Sequence, residues 1–148
     1  MTLDLHVDAV KWRAHLAKVR EERTNLVPVI KGNGYGFTNT LLAKEAQRMQ
    51  LPYVAVGSVR EISQVAENFP GTIILLTPTE GQQVPAGTLL TISALTELKN
   101  LSSGQEFLVE IESPMHRYGI ALNQLPAALP LLSSTDFKGF SIHLPIAP

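Results

Sequence analysis

Short β-rich runs alternate with helical periods along this 148-residue chain, and that alternation predicts an α/β fold on a parallel sheet. The stretches between strands are long enough to act as helical crossovers, as parallel neighbours require. From residue 26 onward six such strands can be counted, where a closed (β/α)8 barrel has eight and takes about 250 residues. The fold expected is therefore a partial (β/α)8 TIM barrel, about six of eight strands, filling residues 1–148 as one incomplete domain. The chain is expected to be a piece of a larger protein.

The elements run in order along the chain. Leu3 to Val7 alternates like a strand, and Asp8 can cap a helix running to about Glu22. Leu26 to Lys31 is an apolar strand ending on a lysine. Leu41, Leu42, Ala46 and Met49 mark one face of a helix. Tyr53 to Gly57 is a strand, after which Ser58 and Glu61 have capping-box spacing ahead of Ile62, Val65, Ala66 and Phe69. Thr72 to Leu76 and Leu89 to Ser93 are strands, with Pro78, Gly81, Pro85 and Gly87 making the connection turn-rich. Leu95, Leu98 and Leu101 form a short helix, Glu106 to Glu112 a strand, Leu122 to Leu132 a helix, and Phe137 to His143 the last strand.

Composition narrows the function classes. A 45% hydrophobic content and slightly positive mean hydropathy indicate a folded globule. Twelve basic against thirteen acidic residues, with no basic block, give no footprint for nucleic acid. There is no cysteine, hence no thiolate nucleophile or disulfide framework. The four histidines have no metal-ligand spacing, so no metal is expected. No apolar run approaches the span of a bilayer, and the acidic N-terminus does not read as a signal peptide; a cytoplasmic protein without a membrane partner is the expectation.

Chemistry concentrates in Val27-Pro28-Val29-Ile30-Lys31-Gly32-Asn33-Gly34-Tyr35-Gly36. A strand-end amine followed by alternating glycines suits Schiff-base chemistry, because the strand fixes the side chain and the glycines admit a ligand close to the backbone. It is not a P-loop, since the lysine precedes the glycines and no GK[ST] comes after them. The plain alternative is a lysine snorkelling from a strand end into water.

On Lys31, Asn33, Tyr35 and Gly36 the chain resembles the alanine racemase family, whose motif has the form K-A-N-A-Y-G. The resemblance continues in family order through the segments 54–61, 110–119 (with Met115-His116-Arg117-Tyr118-Gly119) and 139–143. It implies a pyridoxal 5'-phosphate (PLP) enzyme that interconverts L- and D-amino acids by Cα proton exchange, in D-alanine biosynthesis, with an amino acid as its small-molecule substrate and a homodimer as the full-length assembly. Lys31 would be catalytic, joined to PLP as a Schiff base and then serving as one of two bases. Tyr35 would lie over the cofactor near its phosphate, and His143 under its ring. Arg117 would meet the PLP 3'-oxygen and the substrate carboxylate, for which its fixed fork of donors is suited. In many family members a carbamylated lysine orients that arginine; Glu110 occupies its position here and is expected to hydrogen-bond Arg117. Barrel phosphate sites commonly use the loops after the seventh and eighth strands, and the second base in the family is a tyrosine of the C-terminal domain of a partner subunit, so this segment alone is expected neither to hold PLP tightly nor to racemise. A D-amino-acid aldolase or dehydratase of related fold, or a non-catalytic PLP-binding barrel, are the alternatives.

Overall fold

A computed structural model describes residues 6–78, 82–133 and 136–145. Five strands, β1 (Tyr53–Val56), β2 (Thr72–Leu75), β3 (Leu89–Ile92), β4 (Phe107–Ile111) and β5 (Phe137–Ile142), lie in one sheet in the order β1-β2-β3-β4-β5. Every adjacent pair is parallel. Sequential strands are thus spatial neighbours, as in a barrel wall, and the sheet is open at both ends.

The lysine strand is reduced to an edge. Val29 makes a single parallel bridge to Ala55, with Ile30 N–H donating to the Ala55 carbonyl at 2.8 Å and Ala55 N–H donating to that of Pro28 at 2.9 Å. Pro28 has no N–H to carry the ladder toward residue 53, which stops the pairing there. Lys31 then leaves the sheet direction altogether. The expected count of six strands is met only by including this bridge. Of the strand expected at Leu3–Val7, residues 1–5 lie outside the described residues, and His6 and Val7 form none.

Helices keep to the expected pattern with one exception. The helix α1 (Ala9–Glu22) is capped by Asp8, which accepts from Val10 and Lys11 N–H at 3.0 and 3.1 Å. The turn α2 (Lys31–Tyr35) is followed by α3 (Asn39–Arg48) and α4 (Val59–Ala66), and then by the short α5 (Leu95–Lys99). The helix expected over Leu122–Leu132 instead breaks into 3-10 turns around α6 (Leu125–Ala128). Pro126 is tolerated in a first turn, but Pro130 lacks a donor and crowds the preceding turn. No helix of the described residues is long and apolar enough to cross a membrane.

Alternation of side chains divides the apolar groups into two layers. Val54, Val56, Ile73, Leu75, Leu90, Ile92, Phe107 and Val109 meet the helices through Ile62, Val65, Leu98 and Ala128. On the other face Ala55, Ile74 and Leu89 pack with Val27, Leu76 and Leu108, forming the floor of what a barrel would enclose. The site lies above that floor.

Candidate active site

At the C-terminal ends of the strands a cleft of about 300 Å³ is lined by Val29, Lys31, Tyr35, Leu76, Thr91, Glu110, Arg117, Tyr118, Ser141 and His143, among others. The four residues singled out from the sequence, Lys31, Tyr35, Arg117 and His143, therefore share one space although 112 positions separate the first from the last.

Lys31 reaches the cleft because the chain turns immediately after it. Gly32, Asn33, Gly34 and Tyr35 are all left-handed, with φ of 62°, 51°, 64° and 53°. Glycine takes that conformation freely; asparagine tolerates it, and tyrosine adopts it at a cost of about 1–2 kcal/mol. The turn is anchored by Gly34 N–H donating to the Ile30 carbonyl and by Thr38 N–H donating to that of Asn33. A left-handed turn reverses the chain within five residues, so Lys31 and Tyr35 border the same opening. Gly57, at the end of β1, gives Lys31 room: a Cβ there would lie 3.0 Å from the Lys31 Cβ.

A residue legible in the sequence only as part of a helix cap proves central to this wall. The Glu61 carboxylate accepts from Gly57 N–H at 2.8 Å and Ser58 N–H at 3.1 Å through Oε2, and from Asn33 N–H at 3.2 Å through Oε1. Burial works to raise its pKa, but the Asn33, Gly57 and Ser58 hydrogen bonds, with the nearby Asn39 side chain, outweigh it and hold Glu61 below the usual carboxylate value.

Arg117 is delivered by a glycine with no freedom to change. Gly119 has φ of 114°, and a Cβ on it would fall 2.4 Å from Glu112 N. This close approach lets Ile120 N–H donate to the Glu110 carbonyl at 2.8 Å and Glu112 N–H donate to that of Ile120 at 3.1 Å. The loop closed by this bridge carries Arg117 and Tyr118 over the cleft, with the guanidinium carbon 5.3 Å from the Tyr118 ring centre. Ser113 supports the loop by accepting from Met115 N–H at 3.3 Å.

Glu110 and His143 complete the site, but the expected Glu110–Arg117 hydrogen bond is absent among the described residues. Both line the cleft, and Glu110 feels Arg117 and His143 only through space. Burial raises the Glu110 carboxyl above its usual value against the opposing pull of those two groups. The reason is geometric: Arg117 turns toward Tyr118, while Glu112, the other nearby acid, takes His116 at 3.1 Å. Asn33 acts as a turn residue, its left-handed backbone at the centre of the reversal. On β3, sequence reading missed Thr91, whose hydroxyl is buried on the cleft wall without a hydrogen-bond partner. An isolated threonine within an apolar strand gives no signal of that kind.

Comparison with known proteins gives the chain a family and a fold. A family model described as "Alanine racemase, N-terminal domain" matches residues 5–148. An alanine racemase of Campylobacter jejuni is 29% identical over 124 residues, covering 84% of this chain and 38% of its own length. One from Nitratiruptor is 32% identical over 108 residues, covering 72% and 31%. The chain thus spans less than half the length of the curated relatives it matches. Among solved structures, an alanine racemase from Corynebacterium glutamicum superposes with a TM-score of 0.77 at 16% identity, over 91% of this chain and 44% of that one. One from Oenococcus oeni gives 0.72 at 21%, over 91% and 42%. At those identities the superpositions speak to fold.

Proposed function

The chain belongs to the alanine racemase N-terminal domain family, and from that premise we propose that it is the barrel portion of a PLP-dependent racemase acting on a small amino acid. The observation carrying the reading is the meeting of the Lys31 amine with Tyr35, Arg117 and His143 in one cleft at the strand ends, where barrel enzymes assemble their sites.

The residues present fit the cofactor. An amine is available for its aldehyde, a guanidinium for an oxyanion, and the buried Thr91 hydroxyl lacks a partner that a polar occupant would supply. Lys31, Tyr35, Arg117 and His143 would hold PLP, which, when bound, supplies the electron sink that makes a Cα proton acidic. Lys31 Nζ is the attachment point and, once released, the base that moves the proton on its face. Arg117 orients the substrate carboxylate with its planar fork, and Tyr35 and Tyr118 shield the cleft mouth from water. Glu110 sits where it counterbalances Arg117 through space. Substrate identity, the homodimer, a second base from a partner subunit and a cytoplasmic setting belong to this proposal for the whole protein.

The test is a Schiff base at Lys31. Incubation with PLP should give a visible imine band, and borohydride followed by peptide mapping should find the pyridoxyl group on Lys31. Equal labelling of all lysines would overturn the reading. Racemisation of alanine by the full-length protein, with loss on Lys31→Ala, would separate a racemase from a non-catalytic PLP carrier.

A further inference from the structure

We infer that Glu61 is a positioning residue for Lys31: its carboxylate clasps the left-handed turn to the end of β1 and thereby aims the amine into the cleft. This rests on the functional reading of Lys31 and adds to it the group that sets its geometry.

The turn has an energetic problem that its own residues do not solve. Two of its four left-handed residues, Asn33 and Tyr35, carry a Cβ, and such conformations persist only where surrounding contacts over-determine them. Glu61 supplies such a contact across 28 positions of sequence, from α4 to Asn33 N–H at 3.2 Å. Its second oxygen is taken by Gly57 and Ser58 N–H at 2.8 and 3.1 Å. The same carboxylate therefore ties together the two pieces of backbone, 31–35 and 57–58, and the Lys31 stem lies against Gly57 of the second. Gly57 must lie close for this, and its missing side chain leaves only 3.0 Å to the Lys31 Cβ for any atom placed there. Three donors on two oxygens require a carboxylate. A carboxamide presents one oxygen and one NH2 group, so it would lose either the Asn33 side or the β1 side.

The chain contains its own control. Glu97 stands to β3 and α5 as Glu61 does to β1 and α4, its Oε2 accepting from Ser93 and Ala94 N–H at 3.0 and 3.1 Å. It has no bond to the lysine turn. Removing it costs a helix cap and nothing else.

The experiment uses the full-length protein with PLP as probe. The Lys31 amine condenses with the aldehyde, releasing water, and borohydride delivers hydride to the imine carbon to leave a stable secondary amine that peptide mapping counts. In E61Q the share of label on Lys31 relative to the other lysines should fall roughly tenfold, the factor that accompanies loss of one charge-assisted hydrogen bond. In E97Q it should stay at the wild-type share although the thermal midpoint drops there too. Amide exchange of the unsubstituted protein needs no variant to fold: the N–H of Asn33, an exposed residue, should be protected through its bond to Glu61. Free exchange there, or an unchanged Lys31 share in folded E61Q, would overturn the inference alone. A wild-type chain in which Lys31 takes no more label than other lysines would overturn the functional reading as well, which keeps the two failures distinct.

Discussion

The lysine side of the cleft and the arginine side are ordered by different means. On the lysine side, backbone and side chain are both held: Glu61, the Ile30 carbonyl and Gly57 fix the turn and the stem of Lys31. On the arginine side the backbone is held by Gly119 and the Ile120 bridge and the Arg117 side chain leans on the Tyr118 ring, while among the described residues Arg117, Glu110 and His143 face each other without a hydrogen bond. A covalent attachment point gains from being prearranged, because the geometry of attack is settled before the ligand arrives. A group that receives a carboxylate gains from keeping its donors unspent until one is present. The contrast between the walls matches the contrast between the tasks proposed for Lys31 and Arg117.

The largest way to break the lysine wall is to remove its reactive atom. Lys31→Ala should abolish site-specific pyridoxyl trapping while leaving the fold intact, as circular dichroism would show. The equivalent blow to the arginine wall is Gly119→Ala. The new Cβ would overlap the Glu112 backbone, and we expect a loss of about 3 kcal/mol or more, read in denaturant midpoints. Trapping at Lys31 in whatever G119A remains folded should persist, which would show that the walls are built independently.

A subtler probe is acid. Because Glu61 is held below the usual carboxylate value, its contribution is fully present above that of the unfolded chain, about pH 4.3, and is lost as pH falls through the folded value. Protection at Asn33 should therefore be level from neutrality down to about pH 5 and collapse only in stronger acid. Glu110 should give the smallest effect and the opposite sign. Its carboxyl is raised by burial, so the folded state favours the protonated form, and stability falls as pH rises through the folded value. E110Q should accordingly raise the thermal midpoint near neutrality by about 1–2 °C and show no advantage in acid. A clear loss of stability in E110Q at neutral pH would mean that Glu110 is paired with Arg117 after all.

Sequence carried the fold class well, because the alternation of strand and helix and the capping pattern at Ser58 and Glu61 are local signals. The cleft itself was legible through Lys31, Tyr35, Arg117 and His143, each at a strand end or in a motif whose glycine has a steric reason. What stayed hidden was set by distance and competition. The second task of Glu61 needs a partner 28 positions away, which periodicity cannot show. Pro28 was visible, but its consequence depends on which neighbour Pro28 would have bonded. The Glu110–Arg117 pairing failed because Tyr118 offers the guanidinium a face within the same loop.

The exit of the lysine turn has one more consequence. Phe37, whose N–H donates to the Gly34 carbonyl, lies parallel to Trp12 at 5.8 Å between ring centres, and Trp12 is the chain's single tryptophan. The molecule thus carries a fluorophore stacked at the exit of the turn whose Lys31 and Tyr35 line the cleft. A chromophore fixed at Lys31 would draw excitation from it, and a loosened turn would shift its emission colour instead. Quenching and spectral shift are thus separate channels in one optical record, the first reporting occupancy and the second reporting shape, with no label attached.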